Sequence, residues 1–198
     1  MNISSFQQKL KEQTTAVHQK AEQHELMQSF IQGTYTKEHL LQFLVNIYPI
    51  YSVVEQRLLV SYFKDVPELK RTHLIENDIV SLTKEVEEIN NKNILTPLDC
   101  TCGWVSNSWE KPIDLLKADL YSRWLADLYG GRMLKMMLFP HAMYEADEPI
   151  KIITTVREIL DTPNINSNIT NDDIIDEVVC FFDFHLELFD HIYNGSTQ

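Results

Sequence analysis

Glycine is scarce in this sequence: five in 198 residues, beside seven prolines. The tight turns that join many short strands draw on those two residues, so the composition argues against an all-β chain. Long apolar runs are also missing. No stretch approaches the roughly 20 residues that a bilayer-crossing helix needs, and Met-Asn-Ile-Ser-Ser-Phe-Gln-Gln-Lys at the N-terminus lacks the apolar core of a secretory signal. The expectation is a cytoplasmic protein with no membrane partner. Positive charge is short too, with 17 Lys and Arg against 29 Asp and Glu and a net charge of −12. A general nucleic-acid binder needs a basic surface, so that class is set aside. Three cysteines, Cys100, Cys102 and Cys180, make no disulfide framework. Cys100-Thr-Cys102 has no second Cys/His pair at zinc-finger spacing, and all three read as reduced thiols.

What is present is helical periodicity. Hydrophobic residues make up 44% of the chain and charged residues 23%, as in a soluble globular protein. The length suits a single domain, residues 1–198, with a full-sized core. A first helix starts near Ser4 or Ser5, where Ser5 and Gln8 form a capping-box pattern. Phe6, Leu10, Val17 and Ala21 make its apolar stripe. Gly33 punctuates. A long helix follows from Lys37 to about Phe63, capped by Thr36 and kinked at Pro49. Shorter helices are expected at Pro67–Leu82, Lys84–Asn90 and Leu98–Ser108, then a helix that begins at Lys111-Pro112 and ends at Pro140. Ala146–Leu160 is another. Thr170 and Asp173 form a second capping-box pattern before a last helix, Asn171–Tyr193. No sustained two-residue alternation occurs anywhere. The expected fold is all-α, about eight helices.

The most informative stretch is Leu120-Tyr-Ser-Arg-Trp-Leu-Ala-Asp-Leu-Tyr-Gly-Gly-Arg-Met-Leu-Lys135. Leu116, Leu120, Trp124 and Leu128 recur every fourth residue, marking a buried helix face. Two of the five glycines, Gly130 and Gly131, lie together inside that run, at about 1 kcal/mol each relative to alanine. The helix is bent there, or its backbone is bare where something flat comes close, or a second helix crosses tightly. Arg123 and Asp127 lie one turn apart on one side of it. On the first helix, Lys11 and His18 share a face, and Glu22 follows His18 by one turn. A neutral imidazole is a good iron ligand, and a carboxylate at its other nitrogen fixes its orientation. The plain alternatives are a surface histidine and a surface i,i+4 ion pair.

The segment Leu10-Lys-Glu-Gln-Thr-Thr-Ala-Val-His-Gln-Lys-Ala-Glu22 resembles the start of heme oxygenases, in which such a run supplies the proximal heme ligand. The 120–135 stretch is similar to the family's distal helix. Tyr48-Pro-Ile-Tyr51, Pro67-Glu-Leu-Lys-Arg71 and Glu76-Asn-Asp78 also follow the family in order, and the likeness covers most of the chain. The resemblance implies His18 as the proximal iron ligand, with Glu22 beside it. It implies that Gly130 and Gly131 let the distal helix bend over the porphyrin. It makes Asp127 the residue that holds a proton-donating water, supported by Arg123 and Tyr51. Lys11, Tyr121 and Arg157 match residues that meet the heme propionates, where cations suit carboxylates.

Two positions depart from the family pattern: Ala126 stands where a glycine is usual and Tyr129 where a serine is usual. Both bear on turnover rate and on which ring carbon is attacked. The implied activity is oxidative cleavage of heme b, which is substrate and cofactor at once, to biliverdin, carbon monoxide and iron. It uses O2 and electrons from an external reductase, ferredoxin or flavodoxin. Three rival classes exist: a non-catalytic heme carrier or sensor, a di-iron oxygenase on a similar scaffold, and a helical interaction protein. Ferritin-like di-iron sites use Glu-x-x-His pairs, and no glutamate here has a histidine three residues later.

Overall fold

The computed structural model describes residues 4–58, 69–90, 95–129 and 148–195, and every regular element among them is helical. Helix α1 spans Ser5–Gln23. Its cap is Ser4, whose hydroxyl accepts from the Gln7 backbone N–H at 3.2 Å. The capping pair expected of Ser5 and Gln8 does not form, because the chain enters the helix one residue earlier. The Gln7 side chain instead reaches across to Asp161 and the Arg157 carbonyl. The extended backbone of His24 ends α1, and its imidazole caps a short α2, Glu25–Gln32, by accepting from Leu26 N–H at 3.1 Å. Gly33 closes α2 in the left-handed region at φ 68°, where a side chain is strained.

Helix α3 runs Lys37–Leu58 with Pro49 inside it, and Thr36 caps it through His39 N–H. Its expected continuation to Phe63 lies outside the described residues. The polar residues buried on α3 work as caps for its neighbours. Glu55 accepts from the backbone N–H groups of Arg71 and Thr72 and from the Thr72 hydroxyl, closing the N-terminus of α4, Thr72–Asn90. Asn46 Oδ1 does the same for α5, Asp99–Glu110, taking Leu98 N–H at 2.8 Å and the Thr101 hydroxyl at 2.7 Å. The two helices expected at 67–82 and 84–90 are therefore one from Thr72. No glycine or proline interrupts it, and Ile75, Leu82 and Val86 bury one continuous stripe.

The expected helix from Pro112 is composite. It winds tightly as a 3-10 turn at Ile113–Leu115, relaxes to an α-turn, α6, at Leu116–Asp119, and widens to a π-helical stretch at Leu120–Leu125. Asp114 holds its start by accepting from the N–H groups of Ile165 and Asn166, both at 2.9 Å. Buried Lys117 donates to the Thr162 carbonyl and Asn164 from the same side, so the polar 162–169 loop is pinned to this helix. Pro140, its expected end, lies outside the described residues. Helix α7 is Pro149–Asp161. Helix α8 is Asn171–Asn194, and it opens with the expected reciprocal Thr170–Asp173 capping box. Packing is layered: α1 lies along α8, α3 lies on α4 and α5, and the composite helix fills the space between α3, α7 and α8. Among the described residues, no helix is long and apolar enough to cross a membrane.

Candidate active site

The apolar rhythm of the 116–128 stretch does what it promised: Leu116, Leu120, Trp124 and Leu128 are all buried. Trp124 packs on the Tyr51 ring, centroids 4.4 Å apart, and donates from Nε1 to the Leu69 carbonyl at 2.7 Å. That packing sets the polar side of the same helix against α3. Tyr51 donates its phenol to Asp127 Oδ2, and Arg123 Nη2 donates to Asp127 Oδ1 at 3.4 Å. Arg123 and Asp127 are both buried. The guanidinium also lies over the rings of Phe43 and Tyr51, at 5.7 and 5.6 Å. Burial pushes the Asp127 carboxyl well above the usual carboxylate range. The arrangement can hold a proton in a dry setting and donate it through Asp127 or Tyr51.

His18 occupies a different environment. It sits on α1 with its Nδ1 3.5 Å from Glu22 Oε1, and its side chain is 44% exposed. The edge of its ring meets Phe182 of α8 with centroids 5.5 Å apart, which fixes the plane of the imidazole. With Nδ1 turned to a carboxylate, Nε2 is the nitrogen available to a metal.

Helix α8 joins these two halves, and the residue that shows it is one the sequence reading missed. His185 is buried, and its Nδ1 lies 2.9 Å from the Phe181 carbonyl. A carbonyl only accepts, so Nδ1 carries the proton and Nε2 is a bare acceptor with no partner among the described residues. Burial, with Arg123 nearby, drives this imidazole down to about 3, so it stays neutral. Phe182 and His185 stand three residues apart on one helix face. One meets His18 and the other faces Arg123, with about 4.5 Å of helix rise between them. Proximal and distal candidates therefore look onto the same strip of α8. The only sequence signal for His185 was its place on the apolar face of the last helix.

A second missed group is Asp119, one turn before Arg123. It is wholly buried, Trp104 Nε1 donates to its Oδ1 at 3.3 Å, and its Oδ2 has no partner among the described residues. Burial raises its carboxyl to about 7, with Lys111 pulling it down and Glu177 pushing it up.

The remaining candidates divide. Lys11 is exposed on α1. Tyr121 is half-buried beside Thr14, and burial raises its phenol. Arg157 of α7 donates to the Tyr129 hydroxyl at 2.8 Å, and Tyr129 is itself 55% exposed. The bulky replacement at 129 thus points out to Arg157 rather than into the core. Ala126 is half-buried, and Gly130 and Gly131 lie outside the described residues.

The heme oxygenase family model matches residues 4–188 of the chain. The chain belongs to the heme oxygenase family. It is 34% identical over 140 residues to heme oxygenase of Porphyra purpurea, covering 67% of this chain and 58% of that protein. It is 30% identical over 164 residues to heme oxygenase 2 of Synechocystis, covering 73% of this chain and 64% of that protein. The match thus spans about three fifths of the length of these curated relatives. Among solved structures, Synechocystis heme oxygenase-2 in complex with heme and NO is similar with a TM-score of 0.78 and 25% identity, covering 96% of this chain and 86% of that one. The residues here fit the family's ligand. The His18 side chain is partly exposed with its Nδ1 3.5 Å from Glu22, which leaves Nε2 as the nitrogen a heme iron would meet.

Proposed function

We propose that this heme oxygenase-family chain opens heme b oxidatively to biliverdin, carbon monoxide and iron, using O2 and electrons from an external flavodoxin, ferredoxin or reductase. The observation that carries the reading is the buried Tyr51–Asp127–Arg123 cluster set across one strip of α8 from His18. Bound heme supplies the iron at which dioxygen is reduced. His18 would hold that iron through Nε2, with Glu22 3.5 Å from the opposite ring nitrogen. Lys11, Tyr121 and Arg157 would meet the propionates, with the Arg157 guanidinium also donating to the Tyr129 hydroxyl. The chain's distal work is proton control. Asp127 retains a proton because burial disfavours its charge, Tyr51 Oη bonds Oδ2, and Arg123 steadies Oδ1 so the carboxyl keeps one orientation. Gly130 and Gly131, which the family resemblance assigns to the distal side, lie outside the described residues.

A heme carrier has no use for such a cluster. Burying a carboxyl and a guanidinium costs several kcal/mol before their attraction is counted, and a storage site gains nothing in return. The deciding experiment is aerobic incubation of the heme-loaded chain with a chemical reductant and then with a ferredoxin or flavodoxin system. Loss of the Soret band with biliverdin recovered by chromatography supports the proposal. A stable heme spectrum through many equivalents of reductant overturns it in favour of a carrier.

A further inference from the structure

A cysteine that the sequence left without a companion has two candidates for one on another helix. Cys100 lies in the first turn of α5, half-buried, while Glu187 and His191 stand one turn apart near the end of α8. The Cys100 thiol sulfur, a Glu187 carboxylate oxygen and a His191 ring nitrogen all fall within 4.8 Å of one another. Cys102, two residues on, is exposed and takes no part. We propose that Cys100, Glu187 and His191 form a divalent metal site, suited to zinc, that ties α5 to α8.

Three features of the cluster support this. The first is spacing. Two ligands at i and i+4 on one helix, completed by a third from a packed neighbour, converge without any loop having to order. The second is the state of the imidazole. His191 Nδ1 lies 2.8 Å from the Glu187 carbonyl, which can only accept, so the proton is on Nδ1 and Nε2 carries the free lone pair. A histidine whose other nitrogen is engaged by a carbonyl is the usual form of a metal ligand. The third is charge. A thiolate at Cys100 and the carboxylate of Glu187, this close together, repel as anions. A divalent cation removes that repulsion: thiolate, carboxylate and neutral imidazole around it sum to no net charge.

The donor set chooses among metals. One sulfur, one nitrogen and one oxygen suit a borderline-soft, tetrahedral ion, whereas calcium and magnesium need all-oxygen shells. The exposed side of Glu187 and His191 leaves the fourth position to water. Binding displaces the Cys100 proton, so affinity rises with pH. The site closes one part of a seam that also holds Trp104 stacked on Phe184, centroids 4.8 Å apart, and set edge-on to Phe181. A metal there braces the helix that presents Phe182 and His185, without touching the heme residues.

The test uses the full chain, reduced with a phosphine and stripped of metal. With heme bound, so that His18 is occupied, zinc is titrated calorimetrically in two buffers of different ionisation enthalpy. The expected result is one equivalent bound with a Kd below about 10 μM and one proton released. Cys100→Ser and His191→Ala weaken binding at least about tenfold, and Cys102→Ser leaves it unchanged. In the heme-free chain, cobalt(II) gives a thiolate charge-transfer band and tetrahedral visible bands that Cys100→Ser abolishes. Melting curves without zinc check that each variant folds as the parent does. Absence of saturable binding, equal binding by Cys100→Ser, or a cobalt spectrum without the thiolate band overturns the proposal. None of these outcomes bears on heme cleavage.

Discussion

Two i,i+4 pairs in this chain have almost the same length, yet they live in opposite surroundings. His18 and Glu22 lie at i,i+4 on α1, 3.5 Å apart, with side chains 44% and 60% exposed. Arg123 and Asp127 lie at i,i+4 on the composite helix, 3.4 Å apart, with side chains 9% and 8% exposed. The first pair lies open to water and leaves a ring nitrogen free for an incoming ligand. The second has been taken out of water, so its carboxyl is displaced far from its ordinary behaviour and its geometry is fixed by Tyr51. A binding position has to be reachable; a proton-handling position has to be dry and held still.

The strongest way to break this comparison is at Asp127. Asp127→Ala removes the buried proton donor and leaves α1 alone. Biliverdin formation is expected to fall at least about 100-fold while heme still binds, which product chromatography and a heme titration measure together. An unimpaired biliverdin yield would refute the division of labour. Next in size is His18→Ala, expected to weaken heme binding about 10-fold to 100-fold and to erase the imidazole signature of the absorption spectrum. A spectrum unchanged from the parent would remove His18 as the ligand.

Two further experiments sharpen the contrast through pH. Asp119 titrates near 7 in the folded chain and near 3.8 when unfolded. The native state therefore binds the extra proton between those values, and stability falls as pH rises through that window. Asp119→Asn removes the penalty: its melting temperature is expected to exceed that of the parent by about 5 °C or more at pH 8 and to match it at pH 4. His185 has the opposite sign. Its folded value is near 3 against 6.5 unfolded, so its contribution is lost as pH falls below 6.5. Chemical denaturation of His185→Asn is expected to show a flatter acid limb than the parent. The smallest effect is at the exposed pair, where Glu22→Gln should reduce heme affinity by less than about fivefold. A loss as large as that of His18→Ala would show that the pair is not screened as its exposure implies.

Much of the fold was legible because helical rhythm and end signals are local. The Thr170–Asp173 capping box, the Asn171 start and the buried face Leu116–Leu120–Trp124–Leu128 all follow from short-range pattern. The pairing of Arg123 with Asp127 was legible for the same reason, since spacing on a helix is a property of the sequence. Its burial was not, because that depends on Trp124 and Tyr51 meeting across two helices. The start of α4 at Thr72 was not legible because its N-terminus is closed by Glu55, a carboxylate from another helix. His185 and Asp119 were invisible in the same way: a polar residue on an apolar face looks like noise until the atoms opposite it are known. Cys100 found its neighbours only when α8 was laid beside α5.

The widened winding at Leu120–Leu125 has a bearing on how this helix can change. A π stretch accommodates one residue more than an α-helix would in the same axial span. If the same six residues rewind as plain α, everything downstream turns by about 100°. Asp127 would then leave Tyr51 and face a different wall, although no catalytic side chain had been altered. The placing of Asp127 thus depends on the winding of six residues as well as on their identity, and a one-residue deletion that restores plain α winding is expected to keep Asp127 opposite Tyr51.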